Sequence, residues 1–258
     1  MPLITLTSDL GTKDNYAALV KASILSATEG ATIIDISHDI EKFSLTNAAY
    51  IFGNAYTYFP KNTIHLVGVK SHQVTKRLLY AEFGGQKIIC LDNGFITLLK
   101  NYEQASIFSF EGKDFEPKLF FLKDAMVKAF LALQQNFNVL KPCSDFAQLI
   151  PFQPTVTPTS IIGRCIHIDD FGNVVTNITQ TFFEAERNGR KFTINLPGAE
   201  IDEISTNYDD VSLHTALAMF NSFGYLEIAL NQERASKLLF PRNMHTNTDF
   251  GISVQFED

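Results

Sequence analysis

The sequence predicts an α/β domain followed by a smaller, mainly β domain, and two observations predict this division. In the first half of the 258-residue chain, strand-like and helix-like segments alternate, which is typical of a mostly parallel sheet flanked by helices. Beyond residue 160, short strand candidates separated by turn residues follow one another, which is typical of a β domain. Residues 151–160 are rich in proline and threonine and predict a linker, so we place the domains at 1–150 and 161–258.

Apolar periodicity and turn residues locate the elements of the first domain. Four short apolar runs predict strands, at 3–7, 32–36, 63–69 and 87–91. Segments that favour helix, two of them with apolar residues at three- and four-residue steps, lie at 14–27, 44–59 and 122–137. Asp14 and Ser44 are predicted as the N-caps of the first two helices, and Pro60 is predicted to end the second.

Runs of β-forming residues between turns define five strands in the second domain, at 161–168, 174–179, 191–196, 225–230 and 252–256. The clearest helical segment there is 179–188. Two stretches beside these strands, 168–178 and 220–229, combine carboxylate, amide and aromatic groups. Such a set can pair an amine, stack on a base and hydrogen-bond its edge, although a plain β-turn produces the same pattern.

Composition excludes several classes of protein. The chain is 45% hydrophobic and 19% charged, which suits a packed core, and its net charge of −7 disfavours binding to nucleic acid or to an anionic membrane. The cysteines, Cys90, Cys143 and Cys165, are unclustered, and the histidines lack ligand spacing, so we predict neither a disulfide framework nor a metal site. With no secretion signal at its start and no apolar run of ~20 residues, we expect a cytoplasmic protein.

Polar residues follow several of the predicted strands of the first domain. They are Ser8 and Asp9, Ser37 and His38, Lys70 to His72, and Asp92 and Asn93. Because ligands bind beyond the carboxyl ends of parallel strands, these residues predict a site at one edge of the sheet. Asp9 could accept hydrogen bonds from the two hydroxyls of a ribose, or it could form an Asx turn or a helix cap. No phosphate-binding glycine motif is present.

Two histidines need separate interpretation. His65 lies inside an apolar strand, which favours a hydrogen-bonded core histidine over a ligand. His38 follows a strand and could either line a pocket or fix a loop.

Six motifs together resemble the S-adenosylmethionine hydroxide adenosyltransferases, relatives of the bacterial fluorinase and chlorinase. They are SDLGTKD at 8–14, DISHDIEKF at 35–43, the strand and loop at 63–77, LDNG at 91–94, DDFGNVVTNI at 169–178 and NSFGYLEIALN at 221–231. The resemblance implies a barrel-like second domain and a homotrimer with the ligand held between neighbouring subunits. It implies that water or hydroxide attacks C5′ of S-adenosylmethionine and releases adenosine and methionine, without a cofactor.

The resemblance also assigns roles to residues. Asp9 matches the ribose-binding aspartate, Asp14 a contact to the methionine part, and Phe43 an aromatic residue that lines the pocket. In the second domain, Asp169 is similar to the carboxylate that holds the methionine amino group, with Asp170 as the alternative. The implied adenine neighbours are Phe171, Tyr208 and Asn173, and the implied methionine-carboxylate contact is Ser222.

The water-activating positions depart from the family pattern. Arg77 fits the family's arginine, but Lys70 stands in place of an aspartate and Phe121 in place of a histidine. Lys70 beside Arg77 would create a positive spot that lowers the pKa of water or holds a halide, and His72 could assist. The sequence therefore predicts a hydrolase that uses Lys70 and Arg77. The alternatives are a binding protein without turnover and a halide adenosyltransferase.

Overall fold

The computed structural model describes residues 1–71, 77–115, 120–135, 138–240 and 250–257. The chain forms two compact units, Met1–Pro151 and Phe152–Asp258. The segment predicted as a linker contributes a strand to the second unit, because Thr155–Thr157 pairs with the first residues of the next strand. Across the described ranges, no helix is long and apolar enough to cross a membrane.

The first unit is built on a seven-stranded sheet with the strand order β2-β1-β3-β5-β4-β6-β7. Its strands are β1 (Leu3–Ser8), β2 (Thr32–Ser37), β3 (Ile64–Gly68), β4 (Leu78–Phe83), β5 (Gln86–Leu91), β6 (Ser106–Phe110) and β7 (Leu140–Pro142). The four strands at the β2 end pair in parallel, and the others pair antiparallel. The predicted α/β class is confirmed, but the sheet is mixed rather than mostly parallel.

One short turn makes β4 and β5 antiparallel. Gly84 and Gly85 join β4 to β5, and their φ angles are +62° and +80°. A two-residue loop with positive φ at both positions is the favoured turn of an antiparallel hairpin, and glycine adopts it without strain. The Gly-Gly pair between two apolar runs was therefore the missed signal for β4.

Three helices flank this sheet: α1 (Tyr16–Ala27), α2 (Leu45–Gly53) and α3 (Val127–Gln134). Ser44 caps α2 as predicted, accepting from the Asn47 N–H at 3.2 Å. The predicted cap of α1 is wrong, because the helix begins after Asn15 rather than after Asp14. The second helix ends at Gly53 and a 3-10 turn, Tyr56–Tyr58, precedes Pro60. Phe137, the predicted end of the third helix, lies outside the described residues.

The helices cover both faces of the sheet. Leu66 packs in a core with α1 and α3, whereas its neighbour Val67 packs in a second core with α2. Successive strand residues point to opposite faces, so β3 is buried on both sides. This burial explains why its residues read as a continuous apolar run.

The second unit is a nearly closed antiparallel sheet with the order β12-β11-β15-β9-β10-β14-β13, and β8 pairs with β9. Its strands are β8 (Thr155–Thr157), β9 (Ser160–Ile168), β10 (Val174–Thr179), β11 (Phe192–Leu196), β12 (Ala199–Ile201), β13 (Ala216–Phe220), β14 (Tyr225–Leu230) and β15 (Gly251–Phe256). The edge strands β12 and β13 lie side by side, which confirms the barrel-like class.

Helix α4 (Gln180–Arg187) follows β10, and a short helix α5 (Ala235–Leu238) follows β14. Thr179 caps α4 by accepting from the Phe182 N–H at 3.3 Å, and Asn188 ends it in the left-handed conformation. The fully buried Phe183 ring meets Phe192 edge-on in the core. The five predicted strands and the helix are confirmed to within two residues, and β8, β12 and β13 were not predicted.

Candidate functional site

The Asp9 carboxylate connects three loops at one edge of the first sheet. Asp9 follows β1, which lies between β2 and β3 and runs parallel to both. Its Oδ2 atom accepts hydrogen bonds from the backbone N–H groups of Phe43 and Lys70, each at 3.0 Å. These donors belong to the segment after β2 and the segment after β3. The carboxylate therefore holds together the loops that the sequence predicted to converge.

Phe43 and Lys70 both have the left-handed backbone conformation, with φ angles of +66° and +54°. This conformation is unfavourable for side chains larger than hydrogen and persists where surrounding contacts hold it. Here a single carboxylate oxygen receives both N–H groups, so Asp9 stabilises the conformation of each loop. The Phe43 side chain is exposed, and its role in lining a pocket stays a prediction.

The other carboxylate oxygen of Asp9, Oδ1, has no hydrogen-bond partner among the described residues. Asp9 is 8% exposed, so the residue is largely buried at this edge. Neither of the simpler interpretations applies, because α1 is capped at Asn15 and the Gly11 N–H donates to the His38 carbonyl. Asp9 thus combines a structural oxygen with an oxygen that can accept a ligand hydroxyl.

Lys70 and Arg77 differ in how their charges are compensated. Lys70 is partly buried, and its ammonium has no ion-pair or hydrogen-bond partner within the part of the chain that the structure describes. Arg77 donates Nε to Asp92 Oδ2 at 2.9 Å and pairs with Asp145 Oδ1 at 3.1 Å. The hydrogen bond to Asp92 raises the pKa of Arg77. Of these two cations, Lys70 is the one that can act on an anion.

The Arg77–Asp92 pair also fixes a loop. Asp92 is buried, and its second oxygen accepts from the Ala147 N–H at 2.6 Å. This contact gives Arg77 a structural role in the first unit, and its predicted catalytic role stays a prediction. His72, the predicted helper, lies outside the described residues.

The position predicted to have lost a histidine is a core position. Phe121 is 3% exposed and packs with α1 and α3 in the first unit. It immediately precedes a π-helical turn, Leu122–Met126, that leads into α3. Asp14, the predicted methionine contact, is exposed in the loop before α1.

In the second unit, Asp169 and Asn173 close the turn between β9 and β10. Asp169 Oδ1 accepts from the Asn173 N–H at 2.8 Å, and Oδ2 accepts from the Asn173 side-chain amide at 3.0 Å. Gly172 occupies a left-handed position in the turn, with a φ of +88°. Phe171 stands at the tip with 80% of its surface exposed, and Asp170 is exposed beside it. The β-turn is thus real, and it displays the predicted aromatic ring to solvent.

Glu227 is a buried carboxylate that sequence analysis did not single out. It is 4% exposed, and it accepts from the Tyr208 hydroxyl at 2.8 Å and from the Asn221 amide at 3.2 Å. Burial raises the pKa of Glu227, and the nearby Asp169 carboxylate adds to the rise. A charged residue inside the otherwise apolar strand YLEIAL was the signal that could have identified it.

Glu227 connects predicted site residues that are distant in sequence. It fixes Tyr208 and the Asn221 side chain at the start of the turn that carries Ser222, which is exposed. Val175 on β10 is paired with both Glu227 and His167, so these residues form one row across the sheet. Glu227 and His167 therefore lie on one face of the barrel-like sheet.

No cluster of three or more histidine, cysteine, aspartate or glutamate side chains in the described ranges could hold a metal ion. The site groups among the described residues are carboxylates, amides, aromatic rings and the Lys70 ammonium. Such groups bind and orient a polar organic cation, and they can attract an anionic or polarisable nucleophile.

Comparisons with known proteins extend over nearly the whole chain. Residues 4–141 match the family model of the SAM hydroxide adenosyltransferase N-terminal domain, and residues 163–243 match that of the corresponding C-terminal domain. An (R)-S-adenosyl-L-methionine hydrolase of Methanocaldococcus jannaschii is 26% identical over 260 residues, covering 93% of this chain and 92% of that protein. A fluorinase of Nocardia brasiliensis is 26% identical over 295 residues, covering 98% and 96%.

The fold is likewise similar to solved structures. An uncharacterized conserved protein of Thermotoga maritima superposes with a TM-score of 0.82 at 25% identity, over 98% of this chain and 99% of that one. A conserved hypothetical protein of Thermus thermophilus gives a TM-score of 0.69, also at 25% identity, over the full length of both chains.

Proposed function

Because the chain belongs to the SAM hydroxide adenosyltransferase family, we propose that it hydrolyses S-adenosyl-L-methionine to adenosine and L-methionine. The observation that carries this proposal is the Asp9 carboxylate, with one oxygen held by two backbone N–H groups and the other without a partner among the described residues. A fixed carboxylate with a free oxygen is suited to accept hydrogen bonds from a ribose diol.

In the proposed reaction, a water oxygen bonds to C5′ as the C5′–S bond breaks. The electron pair of that bond stays on sulfur, so methionine leaves as a neutral thioether and requires no general acid. The water proton passes to solvent. The protein must therefore orient the sulfonium in line with the water and stabilise hydroxide character on the attacking oxygen.

Lys70 is the group that we assign to the nucleophile. A cation near a water molecule favours its ionised form, and the same cation would repel a nearby sulfonium. We propose that Lys70 lies on the side of the attacking oxygen, where the first effect outweighs the second. Arg77, shared between Asp92 and Asp145, contributes by holding its loop rather than as a second free cation.

A second candidate function is binding of the same ligand without turnover. The observation that favours it is Phe121, which is buried in the core. It stands where the family resemblance implies a water-activating histidine, so that imidazole is missing. Halide adenosyltransfer is a third candidate, since an uncompensated ammonium at Lys70 would also hold a halide.

The decisive experiment incubates the purified protein with S-adenosylmethionine and follows adenosine by chromatography, with and without added halide. Adenosine formation supports hydrolysis. Halide-dependent formation of a 5′-halo-adenosine would instead identify the protein as a halide adenosyltransferase. Tight ligand binding by calorimetry with no product above the blank would overturn the enzyme and leave the binding protein.

A matched pair of variants links the activity to the site. Asp9→Asn is expected to lower adenosine formation at least about 100-fold, because it removes the charge that accepts the diol and the loop N–H groups. Asp114→Asn is the control, since Asp114 is an exposed carboxylate of the same unit paired with Lys128. Equal rates for both variants would contradict the role of Asp9.

The resemblance to the family also leads us to propose a homotrimer and a reaction without a cofactor. Sedimentation equilibrium tests the assembly, and activity retained in a chelator such as EDTA tests the absence of a metal requirement.

A further inference from the structure

A hydrogen-bonded chain of side chains lies directly behind Asp9. The Ser8 hydroxyl is 2.7 Å from His38 Nδ1, and His38 Nε2 is 3.2 Å from Asp35 Oδ1. Lys21 on α1 pairs with the other oxygen of Asp35 at 2.5 Å. The parallel pairing of β1 with β2, in which Thr7 lies opposite Ser37, brings Ser8 next to His38.

With a neutral imidazole, the chemistry of these groups sets the direction of every hydrogen bond in the chain. The Asp35 carboxylate can only accept, so His38 carries its proton on Nε2 and leaves Nδ1 as an acceptor. Ser8 must then donate its hydroxyl hydrogen to Nδ1. The Ser8 oxygen in turn accepts from the Leu10 N–H at 3.4 Å. The chain thus runs from an exposed ion pair to the backbone beside Asp9.

Backbone hydrogen bonds join the same two segments. The His38 carbonyl accepts from the Gly11 N–H at 2.7 Å, and the Ser8 carbonyl accepts from the Ile40 N–H at 3.4 Å. Asp9 therefore lies between two residues that are tied to the His38 segment, and its own Oδ2 is held by Phe43 further along that segment.

Serine, histidine and aspartate are also the residues of a nucleophilic triad, but this set does not act as one. Ser8 is fully buried and His38 is 3% exposed, so no substrate can reach the hydroxyl. The arrangement is suited to hold backbone rather than to attack a bond.

We propose that His38 is a positioning residue, which through Ser8 and its own carbonyl fixes the orientation of the Asp9 carboxylate and thereby the selectivity for a ribose diol. This inference rests on the proposed function. It adds to it by naming the ribose diol as the feature of the ligand that the positioned Asp9 oxygen recognises.

The arrangement requires a neutral imidazole, because a protonated Nδ1 would donate and could not accept from Ser8. The charged groups that bear on His38 are Asp35 on β2, Asp39 beside it and Lys21 on α1. Burial lowers the pKa of His38 below its usual 6.5, opposed mainly by Asp35. The neutral form is therefore kept at neutral pH and lost only as the pH falls below that value.

The test compares calorimetric affinities for adenosine and for 2′-deoxyadenosine, which lacks half of the diol. Wild type is expected to prefer adenosine by about tenfold or more, the effect of one lost hydrogen bond to a charged group. His38→Ala is expected to reduce this ratio to about one by weakening adenosine alone. His38→Asn, whose amide oxygen can accept from Ser8 in place of Nδ1, is expected to keep most of the ratio.

A pH series adds a second measurement, because a purely structural role of His38 would leave the ratio of the two affinities independent of pH. The wild-type ratio is expected to decline only once the pH is lowered below 6.5, while the ratio of His38→Asn stays constant. If His38→Ala does not fold, Ser8→Ala replaces it, since it removes the donor to Nδ1. The matched control is His65→Asn, because His65 is likewise buried and bonded to a hydroxyl, that of Thr5, at 2.7 Å.

The outcomes separate this inference from the proposed function. A wild-type ratio well above one with no adenosine formed from S-adenosylmethionine would overturn hydrolysis and leave the role of His38 standing. An unchanged ratio in both His38→Ala and Ser8→Ala would overturn the role of His38 alone, as would a wild-type ratio that stays constant until acid unfolding. A wild type that does not distinguish the two nucleosides would overturn the inference about the diol and His38, and the assay of adenosine formation would decide hydrolysis separately.

Discussion

Two carboxylates predicted to bind ligand, one in each unit, are built into the fold in opposite ways. Asp9 accepts from backbone groups 34 and 61 residues away, on loops that follow different strands. Among the described residues, the Asp169 carboxylate accepts from Asn173 alone, four positions along the same turn. A long-range anchor holds an edge of a sheet together, whereas a local one closes a hairpin. An aspartate at a predicted site therefore contributes more to the stability of the fold in the first unit than in the second.

Removing each carboxylate should expose this difference most strongly. Asp9→Ala is expected to lower the free energy of unfolding by about 3 kcal/mol, because it leaves two N–H groups without an acceptor and releases two left-handed residues. Asp169→Ala is expected to cost about 1 kcal/mol, because the turn keeps its backbone hydrogen bonds and glycine. Urea unfolding followed by circular dichroism measures both values.

Equal losses of stability in these two variants would contradict the contrast between long-range and local anchoring. Asp114→Asn provides the baseline, since its side chain is 78% exposed and makes a surface ion pair.

Lys70 allows the backbone and the side chain at the Asp9 edge to be separated. Lys70→Met keeps the N–H that donates to Asp9 and removes the ammonium. We expect the rate of adenosine formation to fall about tenfold or more, because the attacking water loses its nearby cation. The affinity for adenosine should stay unchanged, because the Asp9 carboxylate keeps its donors.

Steady-state kinetics and calorimetry with adenosine measure the two effects. A parallel loss of rate and of nucleoside affinity would show that Lys70 acts through Asp9 rather than on the nucleophile. Lys123→Met, at a partly exposed lysine paired with Asp124 in the same unit, controls for the loss of one positive charge.

The same contrast explains what could be predicted from the sequence. The Asp169 turn was predictable because its partners lie within five residues and include a turn glycine. The convergence of Asp9 with the segments after β2 and β3 was predictable from the rule for parallel strands, but its donors were not, since nothing local marks Phe43 or Lys70 as left-handed. Resemblance to the family supplied the roles of these residues, and the structure supplied their partners.

Other features were missed for physical reasons. In the first unit, β4 and β5 are antiparallel because a glycine pair joins them in a tight hairpin, which the alternation of strands and helices did not indicate. The charge compensation of Arg77 by Asp145 depends on a contact across 68 residues, which no local pattern encodes. Glu227 stood within a recognised strand, but its partner Tyr208 is separated from it by β13.

The smallest expected effect is a change in the pH dependence of stability, caused by the buried carboxyl of Glu227 in the second unit. Burial raises the pKa of its carboxyl, whose ordinary value is 4.5. In the unfolded chain the carboxyl ionises at that ordinary value, so ionisation of Glu227 lowers stability as the pH rises through its folded pKa. Glu227→Gln cannot ionise, and we expect its stability relative to wild type to improve by about 1 kcal/mol between pH ~4 and pH ~8. Urea unfolding over a pH series measures this difference, with Glu200→Gln at an exposed position of β12 as the control.

A constant difference over that range would mean that Tyr208 and Asn221 stabilise the ionised carboxylate enough to offset its burial. In that case Glu227 would anchor Tyr208 and Asn221 as an ionised carboxylate, and the anchoring carboxylates of the two units would differ only in how far along the chain their partners lie.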